Sequence, residues 1–196
     1  DEGWWKWGNI HEASTPVNKE ELIEYYKPKD IKVDDYSLYD PHFYQMSLKY
    51  EKRIGWPKNV ISMTYRWLDG CRILDHHEKV NNIQYDLIIR TRTDLEVMGD
   101  LPDFDPKNFY IIYNHYEQGG HNDVIHVGNK RDIFAINTMY NRLDELYEKE
   151  GRFCPHLFAR RIVEEDRIPL ISLPLQYRIW NTPWGQHQDV DKHITK

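Results

Sequence analysis

The chain has 196 residues, and 26 Lys+Arg against 32 Asp+Glu give a formal net charge of −6 with histidine neutral. A chain of this length can bury roughly 70% of its unfolded surface, which excludes a small scaffold that depends on disulfide or metal staples. The acidic balance argues against general nucleic-acid binding, because phosphate affinity comes from clustered Lys and Arg that release counterions.

With 7 Trp, 14 Tyr, 6 Phe, 10 Gly and 10 Pro and a mean hydropathy of −0.80, the composition is aromatic-rich and polar, neither disordered nor collagen-like. Cys71 and Cys154 are the only cysteines. Two isolated cysteines suit a reduced, intracellular chain better than a secreted disulfide fold, although one long-range bridge stays open. No stretch approaches the ~18 apolar residues that span a bilayer, and no charged-then-apolar leader is present. These features point to a soluble, cytoplasmic protein with no transmembrane segment. The sequence starts at Asp1 without methionine, directly before Trp4, Trp5 and Trp7, which leaves room for an upstream segment.

In chain order, Asn18 reads as the N-cap of a short helix with Glu20 and Glu21 in its first turn, and Pro28 stops it. Ile31, Val33 and Tyr36 around Lys32, Asp34 and Asp35 suit a half-buried strand. Residues 39–57, with Pro41, Gly55 and Pro57, read as loop with at most one helical turn. Ile61, Tyr65, Leu68, Cys71 and Leu74 then form one stripe of a helix capped by Asn59 or Ser62.

Three compact apolar blocks at 85–90, 109–113 and 124–127 are β-rich enough to be buried strands of a central sheet. Ile133, Ile136, Tyr140, Leu143 and Tyr147 predict one long helix over 131–150, introduced by a turn and cap within Gly128-Asn129-Lys130-Arg131-Asp132 and stopped by Gly151. A further helix starts at Pro155, and 168–173 reads as a late strand. Strands alternating with helices predict an α/β layered domain over 1–180, followed by a polar tail over 181–196.

The densest polar cluster follows the most apolar strand: Arg90-Thr91-Arg92-Thr93-Asp94-Leu95-Glu96. In extended chain, Asp94 and Glu96 share one face, and two such carboxylates can hold a hard Mg²⁺ or Mn²⁺ whose remaining ligands are water and phosphate. Arg90 and Arg92 fall on that face too and suit a diphosphate, since guanidinium pairs with phosphate oxygens in a bidentate fork. The alternative is that the two arginines simply salt-bridge the two acids at the surface. The strand-end position favours a ligand site, because open α/β sheets bind ligands there.

A second cluster, Gln118-Gly119-Gly120-His121-Asn122-Asp123, offers close backbone approach and an acid able to act as general base, or an ordinary polar loop. His156 could reach a metal or phosphate from a helix start, or merely cap and pack. Cys154 lacks the neighbours of a thiol nucleophile. His76 and His77 late in their helix are explained by the helix dipole. The N-terminal tryptophans could stack on sugars, though packing accounts for them equally well.

The run Tyr85-Asp86-Leu87-Ile88-Ile89-Arg90-Thr91-Arg92-Thr93-Asp94-Leu95 resembles the "YD, three apolar, R-x-R-x-D-L" signature of small viral and bacterial nucleotide-sugar glycosyltransferases. Three further stretches resemble that family in order: Asn59-Val60-Ile61-Ser62-Met63-Thr64-Tyr65, then Asn122-Asp123-Val124-Ile125-His126-Val127-Gly128, then Phe153-Cys154-Pro155-His156-Leu157-Phe158, with Met139 and Tyr140 on the helix between the last two. The resemblance spans 59–178.

It implies a glycosyltransferase A-like nucleotide-diphospho-sugar transferase fold, a mixed central sheet flanked by helices, in which the family's first strand is missing from the sequence and Asp1-Glu2-Gly3-Trp4 would follow the second. Asp94 and Glu96 would occupy its D-x-D-like metal motif, with Glu as a departure in the final position. Arg90, Arg92, Asn122 and His156 would contact the donor, and Asp123 would serve the acceptor hydroxyl. The implied partners are a nucleotide-sugar donor, Mn²⁺ or Mg²⁺, and a glycan or other hydroxyl acceptor, in the host cytoplasm for a viral chain. A nonenzymatic carbohydrate-binding domain is the second reading, suggested by the aromatic excess. A two-metal nuclease or phosphatase would need more clustered acids and histidines.

Overall fold

The computed structural model describes residues 18–50, 56–92, 95–112 and 119–179. The chain divides into two compact units, Asp1–Ser62 and Met63–Lys196. Residues 1–17, with the N-terminal tryptophans, and the predicted tail over 181–196 lie outside the described residues.

In the first unit, helix α1 (Lys19–Tyr26) starts where the sequence places it. Asn18 Oδ1 accepts from the Glu20 and Glu21 amides at 3.0 and 3.3 Å, a cap worth about 1 kcal/mol. The helix ends at Lys27, the residue before Pro28, whose ring disfavours further α conformation.

The strand expected around Ile31, Val33 and Tyr36 does not form. Asp35 Oδ1 instead takes the Ser37 amide at 2.9 Å and the Ser37 hydroxyl at 2.7 Å, which turns the chain into a 3₁₀ segment at Tyr36–Leu38. The loop expected over 39–57 contains helix α2 (Asp40–Ser47). Pro41 misleads there, since proline in a first helical turn removes an amide that would have been orphaned anyway. The apolar side of α2 buries Phe43, and Asp40 accepts from Lys58 at 2.7 Å.

Helix α3 (Trp56–Asn81) carries the predicted stripe, with Ile61, Leu68 and Cys71 buried. It begins upstream of Asn59 and Ser62, so neither is its cap.

The second unit is mixed α/β, with a four-stranded mixed sheet flanked by helices. Strands β1 (Ile88–Thr91), β3 (Phe109–Ile112), β4 (Ile125–Gly128) and β5 (Leu170–Leu173) lie in the order β1-β4-β3-β5. The pairs β1/β4 and β4/β3 are antiparallel and β3/β5 is parallel. Central strands β3 and β4 are buried throughout, because both faces are covered, which is why they read as unbroken apolar runs.

Residues in register share a face. Val127 and Tyr110 point to one side, where Ile112, Ile125, Leu173 and Tyr177 form a core with Leu87, Leu95 and Phe104 against it. Leu95 and Tyr177 come from a two-stranded antiparallel ribbon, β2 (Leu95–Met98) with β6 (Gln176–Ile179). The sequence reading did not identify β6. In β2, Leu95 and Val97 are half-buried while Glu96 and Met98 are exposed.

The single helix expected over 131–150 is broken into α4 (Lys130–Asn137), a 3₁₀ turn (Met139–Arg142) and α5 (Leu143–Glu150). The break falls at Thr138, whose hydroxyl donates to the Phe134 carbonyl at 2.7 Å alongside its own amide at 3.0 Å, a back-bond of the kind that bends helices. The hydrophobic stripe survives it, since Ile136, Met139, Leu143 and Leu146 are all buried.

Asn129 and Asp132 cap α4 reciprocally, amide to Oδ1 at 3.0 Å and Nδ2 to carboxylate at 2.9 Å. Gly151, at φ 65°, closes α5 in the left-handed conformation that costs glycine little. Helix α6 (Pro155–Glu165) follows, with Leu157, Phe158 and Ile162 buried.

Candidate functional site

The antiparallel register of β1 with β4 sets Thr91 opposite Ile125 and Arg90 opposite His126. The outgoing end of β1 therefore meets the loop that feeds β4. Two polar clusters about thirty residues apart in sequence, around Arg90 and around Asn122, become neighbours through backbone pairing alone.

Arg90 does not point to solvent. Its guanidinium carbon sits 4.3 Å from the centroid of the Trp67 ring of α3, and Nη2 lies 2.9 Å from His126 Nδ1 and 3.2 Å from Nε2. Burial pulls the Arg90 pKa down to about 10, opposed by the Asp123 carboxylate and reinforced by the Arg92 cation. The residue stays charged at neutral pH. A desolvated cation on a tryptophan face is worth about 2 kcal/mol, so this arrangement is a packed structural feature as well as a charge in the site. Arg90 Nε is buried with no hydrogen-bond partner among the described residues.

His126 is fully buried. Its Nε2 lies 2.9 Å from the Asn122 carbonyl oxygen. A carbonyl only accepts, so Nε2 carries the proton, and Arg90 Nη2, within 3.2 Å of both ring nitrogens, lies over the face of the imidazole. Burial, and then the Arg90 charge, hold the imidazole pKa well below its ordinary value, and the ring is neutral.

Asn122 is buried and serves three neighbours. Its carbonyl holds His126, its Oδ1 accepts from the Val124 amide at 2.6 Å, and its Nδ2 donates to the Tyr177 hydroxyl at 3.3 Å. Burial raises the Tyr177 pKa, the Asn122 bond lowers it, and the Asp123 charge raises it further. Asp123 is only partly buried, and its charge acts on both Arg90 and Tyr177. Arg92 is exposed just past the end of β1, and its charge reaches the same two groups.

His156 stands in the first turn of α6 and is buried. Its Nδ1–H donates to the His121 carbonyl at 2.9 Å, and its own carbonyl accepts from the His121 amide at 2.9 Å. These contacts stitch the glycine loop to α6. Gly120 is there because a Cβ would lie 2.6 Å from His156 Cβ and 2.9 Å from its carbonyl carbon.

Of the residues singled out in the sequence, Arg90, Arg92, Asn122 and Asp123 converge at the β1/β4 end, and His156 supports the loop from behind. Glu96 lies on the exposed side of β2. Asp94 lies outside the described residues. Trp67, His126 and Tyr177 were missed. The signal for His126 was its position inside a buried strand block, where a polar side chain must be partnered.

Among the described residues no group of three or more His, Cys, Asp or Glu is placed to hold a metal ion. Glu96 supplies one hard oxygen donor, and magnesium-type sites commonly use one or two carboxylates completed by water and phosphate, so this residue fits such a cation. A concavity of about 560 Å³ lies at the opposite end of β1, lined by Tyr85, Asp86, Asn129, Lys130 and Arg131 among others. It includes none of the candidate residues, and Lys130 there is already paired with Asp75 and Glu78.

Cys71 and Cys154 are both free and buried. Among the described residues no helix is long and apolar enough to cross a membrane. No protein-family model matches the chain, and no curated protein or solved structure is significantly similar to it.

Proposed function

We propose that this chain is a metal-dependent glycosyltransferase of the A-type fold, moving a sugar from a nucleotide-diphosphate donor to a glycan or other hydroxyl acceptor. The observation that supports it is the meeting of Arg90, Arg92, Asn122 and Asp123 where β1 passes β4. Those residues belong to two separate stretches that resemble one glycosyltransferase family.

In this reading Arg92, the exposed arginine, grips the donor diphosphate in a bidentate fork. Arg90, locked on Trp67 and His126, supplies fixed positive charge behind it rather than a mobile contact. Asp123 takes the proton of the acceptor hydroxyl as the new glycosidic bond forms and the sugar–phosphate bond breaks. Asn122 and Tyr177 hold the loop that presents Asp123. Mg²⁺ or Mn²⁺ at Asp94 and Glu96 would neutralise charge on the departing diphosphate.

The test is a panel of nucleotide sugars offered to the full-length protein with and without Mn²⁺. Metal-dependent hydrolysis of one donor supports the reading and identifies the sugar. Binding of free glycans with no response to nucleotide or Mn²⁺ would replace it with a nonenzymatic carbohydrate-binding domain.

A further inference from the structure

The concavity of about 560 Å³ at the start of β1 has walls whose framework groups are spent on one another. Asn82, in the left-handed conformation at φ 51°, turns the chain out of α3. The Ile83 amide then meets the Glu78 carbonyl at 3.0 Å, and the Tyr85 amide meets the Glu78 carboxylate at 3.0 Å. The same buried Glu78 accepts from Lys130 Nζ at 2.5 Å, which ties the 84–86 wall to the start of α4. Asn129 Nδ2 donates to the Pro106 carbonyl at 3.0 Å and fixes the third wall. The cavity is therefore pre-formed, and its volume falls in the range of about 300–1,000 Å³ usual for small-molecule sites.

The groups left over define what fits it. Gln84 and Asp86 line the cavity and make no hydrogen bond or ion pair with another described residue, so they present an amide that donates and accepts and a carboxylate that accepts. Tyr85 is 39% exposed, with its ring stacked on His77 at 6.3 Å and 18°. Arg131 gives Nη2 to the Asp166 carbonyl at 3.1 Å, and its largely exposed side chain keeps further N–H groups.

Charge then selects the class of ligand. Lys79 and Lys130 are matched by Asp75 and Glu78, and Asp86 offsets Arg131, which also has Asp132 at 4.0 Å. The walls hold no surplus positive charge for a phosphate. The start of α4 does not supply one either, since Asn129 Oδ1 takes the Asp132 amide and the Asp132 carboxylate already occupies that first turn. An aromatic ring beside unspent donors and acceptors matches a pyranose, whose C–H face is apolar and whose hydroxyl rim both donates and accepts.

We infer that this cavity binds an uncharged saccharide, stacked on Tyr85 and hydrogen-bonded by Gln84, Asp86 and Arg131, at a site separate from the Arg92 and Asp123 end of β1. In a transferase it would hold a glycan away from the reacting end, but the binding itself needs no transfer and does not rest on that reading.

The experiment is a ¹H–¹⁵N NMR titration of the full chain with glucose, galactose, mannose, N-acetylglucosamine, cellobiose and lactose, each to about 50 mM. The expected result is saturable movement of the Gln84, Tyr85, Asp86 and Arg131 amides with at least one sugar, at a Kd of about 1 mM, as suits an open site with one ring and few polar contacts. Tyr85→Ala should weaken binding at least about tenfold, and Tyr85→Trp should keep it. Asp86→Ala should weaken it with the ring in place.

Still amides with every sugar would overturn the site, as would binding as tight in Tyr85→Ala as in the wild type. Tighter binding of inorganic phosphate or uridine monophosphate at the same amides would overturn it in favour of an anion site. Should Tyr85→Ala not fold, Asp86→Ala decides, because that exposed side chain makes no bond among the described residues, and unchanged sugar affinity there would refute the assignment. The donor panel reads chemistry at Arg92 and Asp123 while this titration reads shifts at 84–86 and 131, so either can fail while the other stands.

Discussion

Arg90 and His126 face each other directly across the β1/β4 pair, and the arginine Nη2 rests 2.9 Å from the histidine Nδ1 while its plane lies over Trp67. An arginine at that position is thus held by stacking, by a hydrogen bond and by the nearby Asp123 charge. Arg90→Lys keeps the charge but loses the planar face and the fork. We expect a loss of about 2–3 kcal/mol, from the cation–π contact and a broken charge-assisted bond in a buried setting. Urea denaturation monitored by circular dichroism measures it, and a loss below about 0.5 kcal/mol would mean that lysine replaces every one of these contacts.

The same pair sets the response to acid. In the unfolded chain His126 titrates at its ordinary value near 6.5, whereas the folded imidazole is held well below it, by burial first and Arg90 second. Between the two pKa values the unfolded state binds more protons, so acid favours unfolding. The contribution of His126 is complete above about pH 6.5 and is lost at up to about 1.4 kcal/mol per pH unit as pH falls toward the folded value. Urea midpoints at several pH values should show His126→Gln with a shallower decline than the wild type. Parallel curves would show that the folded ring titrates normally.

Gly120 makes a sharper geometric demand. Gly120→Ala places a methyl 2.6 Å from His156 Cβ and 2.9 Å from the carbonyl carbon of that residue, and backbone cannot yield as the tip of a side chain can. A cost of about 1–3 kcal/mol is expected from this overpacking. The His121–His156 bonds should weaken with it, which amide exchange at His121 would register as faster opening. Normal stability and normal exchange in that variant would mean the loop has room to spare.

The sequence reading succeeded where one physical cause dominated. Asn18 and Gly151 act at helix ends as their types require, and the apolar blocks became β1, β3, β4 and β5, of which the central β3 and β4 are apolar throughout because both their faces are covered. It failed where local side-chain hydrogen bonds competed with periodicity. Asp35 bent an expected strand into a 3₁₀ turn, and an expected helix breaks at Thr138 while its hydrophobic stripe stays in phase. Strand β6 escaped because it pairs only with β2 and its Gln176-Tyr177-Arg178-Ile179 is no apolar block of the kind that marked the others.

For the site, alternation correctly set Arg90 apart from Thr91, but which face of the sheet was buried under α3 was not legible before Trp67 and His126 were seen to meet there. Arg90 thereby changed from an expected phosphate contact to a packed charge.

Cys71 offers a test independent of any ligand. Its thiol is buried beside Asn137, and burial pushes its pKa up to about 11 against the pull of Asn137, Arg90 and Lys130. At pH 8 only about one thiol in a thousand is then ionised, and alkylation needs the thiolate as well as access. Native protein should leave Cys71 unlabelled by iodoacetamide over hours, while protein in urea labels at the rate of a free cysteine. Rapid native labelling, located by peptide mass, would show that the α3 face against the sheet opens readily.

Asp123 carries the most demanding expectation, because it has two tasks in the reading given above. Its charge offsets the half-buried Arg90, and its carboxylate is the proposed acceptor base. Asp123→Asn keeps the shape and removes the charge. The base role predicts that transfer falls at least about tenfold, equivalent to about 1.4 kcal/mol in the barrier, and general-base catalysis typically contributes more, about 10²–10⁴-fold. Donor affinity should barely change, since the diphosphate is assigned to Arg92, so the loss should appear in kcat with KM for donor nearly constant. The charge-offset role predicts a modest stability loss that Arg90→Met in the same chain would abolish, because the charge to be offset is then gone. Loss of donor binding in Asp123→Asn would move the residue from the acceptor side to the donor side. Unchanged transfer with the stability loss still present would leave Asp123 as the counter-charge of Arg90 and nothing more.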